Sequence, residues 1–240
     1  YTILRDRLKH FKLEHEVHNL WNSSVAAACK ARDKFGTGRV AGSIGPLIAS
    51  YRPDICPPVE EASKIYEEKV ESIAPKVDLL LVETVCSLKQ AKGVLAATDK
   101  SNKPVWISFS VDDVDGTKLR SGEKLEDVEA VINNHLVEAV LINCSPPEVV
   151  DNALSILSKM GKAFGAYANG FSKISSEFLK TRPTVDALTA RNDLGPEEYS
   201  NFVTNWIRNG ASIVGGCCEI GPTHISKISQ KIHKLGYKKL

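Results

Sequence analysis

The chain has 240 residues, 42% of them hydrophobic and 25% charged, a composition and length that suit one large domain over 1–240. Its 31 basic and 29 acidic side chains leave a formal net charge of +2, which excludes a field able to steer nucleic acid or an anionic membrane. No apolar run reaches the length of a membrane span, and six cysteines are too sparse for a disulfide scaffold. With no signal-peptide pattern, the cysteines read as reduced thiols and the protein as a cytoplasmic α/β enzyme.

The opening is helical. Ile3, Leu4, Leu8, Phe11, Val17, Leu20, Trp21 and Val25 recur at helical spacing through residue 34. From there, short β-branched runs alternate with amphipathic stretches, the pattern of parallel βα units. RVAGSIGP (39–46) precedes a helix near 58–75, and VDLLLVET (77–84) precedes one near 87–98. PVWISFS (104–110) leads to 125–134, and EAVLINC (138–144) to 147–160. KAFGAYAN (162–169) leads to 196–209, and ASIVGG (211–216) to 222–235. Pro147 and the run Gly195-Pro196-Glu197-Glu198 mark helix starts, with proline at the first position and acids beside the helix dipole. The strands lack clean alternation, as expected where both faces are buried.

Six βα units are visible, whereas a closed parallel barrel takes eight. A helix with no strand before it predicts a (β/α)8 barrel whose first two βα units are missing from the chain. A six-stranded open sheet with helices on both faces is the other arrangement the pattern allows. Barrel chemistry sits at the C-terminal ends of the strands, which here carry Glu83-Thr84, Ser108 to Ser110, Asn143-Cys144, Tyr167 to Asn169 and Gly215 to Cys218.

Neighbouring residues of a strand point to opposite faces, so Cys217 and Cys218 share a partner only where the strand has ended. Gly215 and Gly216 favour a turn there. With Cys144 they would make a three-sulfur zinc site, since thiolates select zinc and three ligands leave the open position of a catalytic centre. A vicinal disulfide or plain core packing also accounts for adjacent cysteines, and no CxxC pair or HExxH helix adds support for a metal. Cys29, Cys56 and Cys86 read as isolated thiols. His224, in the first turn of the last helix, is a candidate for bracing the thiols from behind.

LLLVET, VWISFS, LRSGE, INCSPPE, GAYANGF and IVGGCCEIGPTHI, in that order, resemble the homocysteine S-methyltransferase family. The resemblance runs from the SIGP strand to the final helix. It implies a (β/α)8 barrel with zinc held by the cysteine of NC and both cysteines of GGCC, here Cys144, Cys217 and Cys218. It also implies that the glutamate of the ET pair, Glu83, contacts the amino group of homocysteine. From the residue alone, a helix-start or ion-pair role fits Glu83 equally.

The chemistry expected from the resemblance is methyl transfer. A free thiol with a pKa of about 8.5 is mostly protonated at neutral pH, and coordination to zinc deprotonates it. The sulfur then takes a methyl group from a cationic donor by in-line displacement, giving methionine. Trp106 and Tyr167 are candidates for an aromatic face toward that cation, with core packing as the other reading. Likeness to short, single-domain members points to S-methylmethionine or S-adenosylmethionine as donor rather than betaine or methylcobalamin. Selenocysteine also suits as acceptor. Family members begin with a strand ending in Asp-Gly-Gly, whose carboxylate contacts homocysteine, and YTIL resembles the residues just after the second strand. Two function classes follow: an active zinc-dependent methyltransferase, or an inactive zinc-binding remnant with an interaction or regulatory role.

Overall fold

The computed structural model of the chain describes residues 1–180 and 185–237. Six strands, β1 (Ala41–Ile44), β2 (Leu79–Val85), β3 (Val105–Phe109), β4 (Val137–Asn143), β5 (Ala163–Tyr167) and β6 (Ile213–Val214), pair in chain order. β1 runs parallel to β2 with Ala41 opposite Leu79, and β4 runs parallel to β5 with Asn143 opposite Tyr167. A parallel sheet whose order follows the chain without reversal is the barrel arrangement; a doubly wound sheet turns back after its first strands. The strand order is therefore the one that the α/β barrel expectation requires.

The helices start and stop where their residues dictate. The opening pair is α1 (Arg5–His10) and α2 (Val17–Phe35), followed by α3 (Val59–Ile73), α4 (Leu88–Thr98) and the short α5 (Val128–Ile132). α4 is capped by Ser87, whose hydroxyl accepts from Gln90 N–H. α6 (Pro147–Leu157), α7 (Pro196–Arg208) and α8 (Pro222–Lys234) each carry proline at the first position, where no backbone donor is needed.

The opening differs from the continuous helix that spacing predicts. α1 ends at His10, Lys12 takes a left-handed φ of +58°, and α2 begins afresh after a 3-10 turn. Phe11 and Leu20 are exposed, while Val17, Trp21 and Val25 form the buried stripe of α2. α2 stops at Gly36, whose φ of +88° no other residue adopts as cheaply.

The chain forms two compact units, Tyr1–Ile107 with Ala130–Glu138, and Ser108–Glu129 with Ala139–Leu240. In the first, α3 and α4 approach so closely that a Cβ on Gly93 would lie 2.9 Å from that of Ala62. In the second, Tyr199 and Trp206 of α7 meet edge to face at 6.0 Å in the core, each fully buried. No helix among the described residues is long and apolar enough to cross a membrane.

Lys69 of α3 is only 7% exposed, and burial lowers its amine to about pKa 8 despite the opposing charge of Glu83. A base whose folded-state value is depressed binds fewer protons folded than unfolded, so the penalty is complete below pH 8 and fades as pH rises toward 10.5. Lys69→Met should therefore stabilise the chain by up to about 3 kcal/mol at pH 7. The gain should shrink steadily above pH 8, which urea denaturation across about pH 6–10 would reveal. A pH-independent gain would mean that packing, not desolvation, is responsible.

Candidate functional site

β4 ends at Asn143, and Cys144 leaves it with a φ of +49°, a left-handed conformation uncommon outside glycine. Cys144 is buried, and its carbonyl accepts from Ser110 Oγ and from Arg120 Nη2, both at 3.2 Å. β6 is only two residues long, but its hydrogen bonding continues past the strand. Carbonyls of Phe164, Ala166 and Ala168 accept in turn from the backbone N–H of Ser212 (2.9 Å), Gly215 (3.1 Å) and Cys217 (2.9 Å). Gly170 N–H then donates to Cys218 O at 2.8 Å. The GAYANG segment is thus the rail on which the GGCC segment lies. Tyr199 fastens it from below, its hydroxyl donating to Gly215 O at 2.8 Å.

Gly215 and Gly216 do not provide a positive φ, contrary to the expected turn; Glu219 does, at +64°. What Gly216 provides is space, since a Cβ there would lie 2.1 Å from Ile220 Cγ2. Gly170 likewise faces Glu219, where a Cβ would come within 2.9 Å.

The consequence is convergence. The sulfurs of Cys144, Cys217 and Cys218 all lie within 4.8 Å of one another, with Cys217 and Cys218 at 3.9 Å. Thiolates at a Zn–S distance of about 2.3 Å on a tetrahedron stand about 3.8 Å apart, which is the spacing of Cys217 and Cys218, whereas Cys144 and Cys217 stand closer; three cysteine sulfurs are the donor type that zinc takes. The sulfurs of Cys144 and Cys217 lie close enough to pair as a disulfide on oxidation, and Cys218 beside them is exposed. Asn143 Nδ2 points at Cys217 Sγ from 4.0 Å.

Glu83 lies in the other unit, half-buried near the end of β2, and its Oε1 accepts from Ser43 Oγ of β1 at 2.5 Å. Thr84, fully buried, follows it with a φ of +58°. A β-branched residue in that region is strained, and such strain gathers at functional sites.

His224 does not brace the thiols in the way expected. Its Nδ1 accepts from Gly221 N–H and its Nε2 donates to Leu194 O, both at 3.2 Å, so the ring is occupied in capping α8. Trp106 has the Arg39 guanidinium 6.0 Å above its ring. Tyr167 sits beside the cysteine segment, its Cβ 3.5 Å from where a Cβ on Gly215 would be. Nothing in the sequence singles out Arg120, Asp113, Ser110 or Tyr199 individually. LRSGE is legible as a motif, but nothing local tells that its arginine reaches Cys144, 24 positions away.

The homocysteine S-methyltransferase family model matches residues 1–232, nearly the whole chain. The chain belongs to that family. By class it is a methyltransferase. Homocysteine S-methyltransferase 1 of Brassica oleracea var. italica is 28% identical over 246 residues, covering 91% of this chain and 72% of the relative. Among solved structures, the metallated form of the homocysteine methyltransferase MmuM from Escherichia coli superposes with a TM-score of 0.79 at 25% identity. The match covers 96% of this chain and 77% of MmuM. The oxidized form of the same enzyme gives a TM-score of 0.78 at 26% identity, with equal coverage. This methyltransferase thus shares its fold with MmuM over nearly all of its length.

Proposed function

We propose that Cys144, Cys217 and Cys218, in their reduced state, hold one zinc ion beside which homocysteine accepts a methyl group from a sulfonium donor. The donor is S-methylmethionine or S-adenosylmethionine, and the product is methionine. The observation that carries this is the meeting of three sulfurs from two strand ends within 4.8 Å. When bound, zinc lowers the pKa of an incoming thiol, so that the acceptor is nucleophilic at neutral pH.

The chain's own residues do the rest. Glu83, its carboxylate oriented by Ser43, receives the substrate ammonium through a charge-assisted hydrogen bond. Tyr167 offers a ring face to the positive charge of the donor. The 164–170 rail fixes Cys217 and Cys218, and alignment of this kind supplies several kcal/mol of a displacement barrier.

Metal content tests the proposal. The chain purified in a reductant should carry about one zinc, bound through sulfur by X-ray absorption. Oxidation should remove it, because a disulfide between Cys144 and Cys217 withdraws two of the three thiolates. A reduced, folded chain that takes up no zinc would overturn the assignment.

Glu83→Gln should raise KM for homocysteine by about 10- to 100-fold, equivalent to about 1.5–3 kcal/mol for one charge-assisted hydrogen bond. Zinc content should be unaltered. Unchanged kinetics would leave Glu83 as a structural partner of Ser43.

A further inference from the structure

We infer that Arg120, locked to Asp113, is a positioning residue that holds Cys144 in register with the cysteine pair; this rests on Cys144 being a zinc ligand, as proposed above. The Arg120 side chain is only 10% exposed and that of Asp113 19%, in a loop whose Val114, Thr117, Lys118 and Ser121 face solvent. The guanidinium donates in several fixed directions. Nε donates to Ser110 Oγ at 2.7 Å, and Nη2 donates to Asp113 Oδ1 at 2.6 Å and to Cys144 O at 3.2 Å. Ser110 closes a ring by donating to the same Cys144 carbonyl.

That carbonyl belongs to the residue with the left-handed φ of +49°. A residue with a Cβ disfavours this conformation relative to the right-handed one, so it persists only when held from outside. Two donors on one carbonyl do so, and they set the direction in which the Cys144 Cα–Cβ bond leaves the strand end.

The other side of Asp113 extends the brace. Its Oδ2 accepts from Ile174 N–H at 2.9 Å, and four residues earlier Gly170 N–H holds Cys218 O. The path Cys144 O, Arg120, Asp113, Ile174, Gly170, Cys218 O therefore joins the separate strand ends that supply the sulfurs. A lysine could carry the charge but could not span Ser110, Asp113 and Cys144 at once, because only a planar fork presents donors in those directions.

Two measurements on the full chain test this. In the reduced chain, Arg120→Met should weaken zinc binding about 10- to 100-fold by chelator competition, the range for residues that orient metal ligands. Arg120→Lys should recover only part of it. In reduced, zinc-free protein, Arg120→Met should speed iodoacetamide alkylation of Cys144 at least several-fold relative to Cys29, read by peptide mass spectrometry. If Arg120→Met does not fold, Asp113→Asn serves in its place, with a smaller shift expected in both readouts. A folded variant with wild-type zinc affinity and wild-type Cys144 reactivity would overturn the inference. Failure of the wild-type chain to bind zinc would instead overturn the metal assignment, while the alkylation comparison still decides whether Arg120 holds Cys144.

Discussion

Cys218→Ala should remove zinc retention and lower methyl transfer by about 10³-fold or more, a loss of about 4 kcal/mol of transition-state stabilisation. Cys218 is the exposed member of the triad, so its truncation leaves no core cavity and the fold should survive. That separates it from Cys144, which is buried and whose loss would mix metal and packing effects. Removing a ligand outright should exceed the roughly 10–100-fold typical of an outer partner. Cys29→Ala is the control, since Cys29 sits on α2 in the other unit and its sulfur faces Lys76 O. Zinc analysis, circular dichroism and methionine formation should show one variant empty, folded and inactive and the other unchanged. Retained zinc and turnover in Cys218→Ala would remove it from the ligand set.

Gly165→Ala should be the most destabilising single methyl in the second unit, by at least about 3 kcal/mol, or a fall of about 10 °C in Tm. Gly165 of β5 pairs with Ile213 of β6, and a Cβ there would lie 1.7 Å from Ile213 O and 2.7 Å from its carbonyl carbon. The obstacle is backbone, so no rotamer change relieves it. β6 has two residues and would have to leave the ladder, taking Gly215 and Cys217 off their carbonyl partners. Zinc affinity should fall together with stability, whereas Lys162→Ala, one residue before β5, should alter neither. A stable, zinc-replete Gly165→Ala chain would show that β6 can shift without loss of the cysteine geometry.

The extent to which the sequence announces this arrangement depends on the range of the forces involved. All six strands fall within or against the β-branched runs, and the helix starts at Pro147 and Pro196 coincide with the proline signals. These features arise from a residue and its neighbours within about a turn, so spacing alone exposes them. The break at Lys12 escapes such reading because apolar spacing continues across it and no glycine marks the left-handed residue. Adjacent thiols at a strand end are legible for the same local reason, and the family likeness carries Cys144 and Glu83 into view.

Tertiary structure alone decided how those thiols come together. The sulfurs of Cys144 and Cys217 belong to strand ends separated by 73 positions, and their meeting depends on β4, β5 and β6 pairing side by side. Gly215 and Gly216 look like turn glycines in the sequence, yet the structure uses the second for clearance against Ile220, a demand visible only once the fold has placed that side chain. Arg120 is the clearest case. In the sequence it is only the arginine of the LRSGE motif, with no partner indicated, and only the return of the chain at Cys144 and Ile174 makes its fork a brace. Periodicity and capping act along the chain, whereas a carbonyl in need of donors recruits them from whatever the strand order sets beside it.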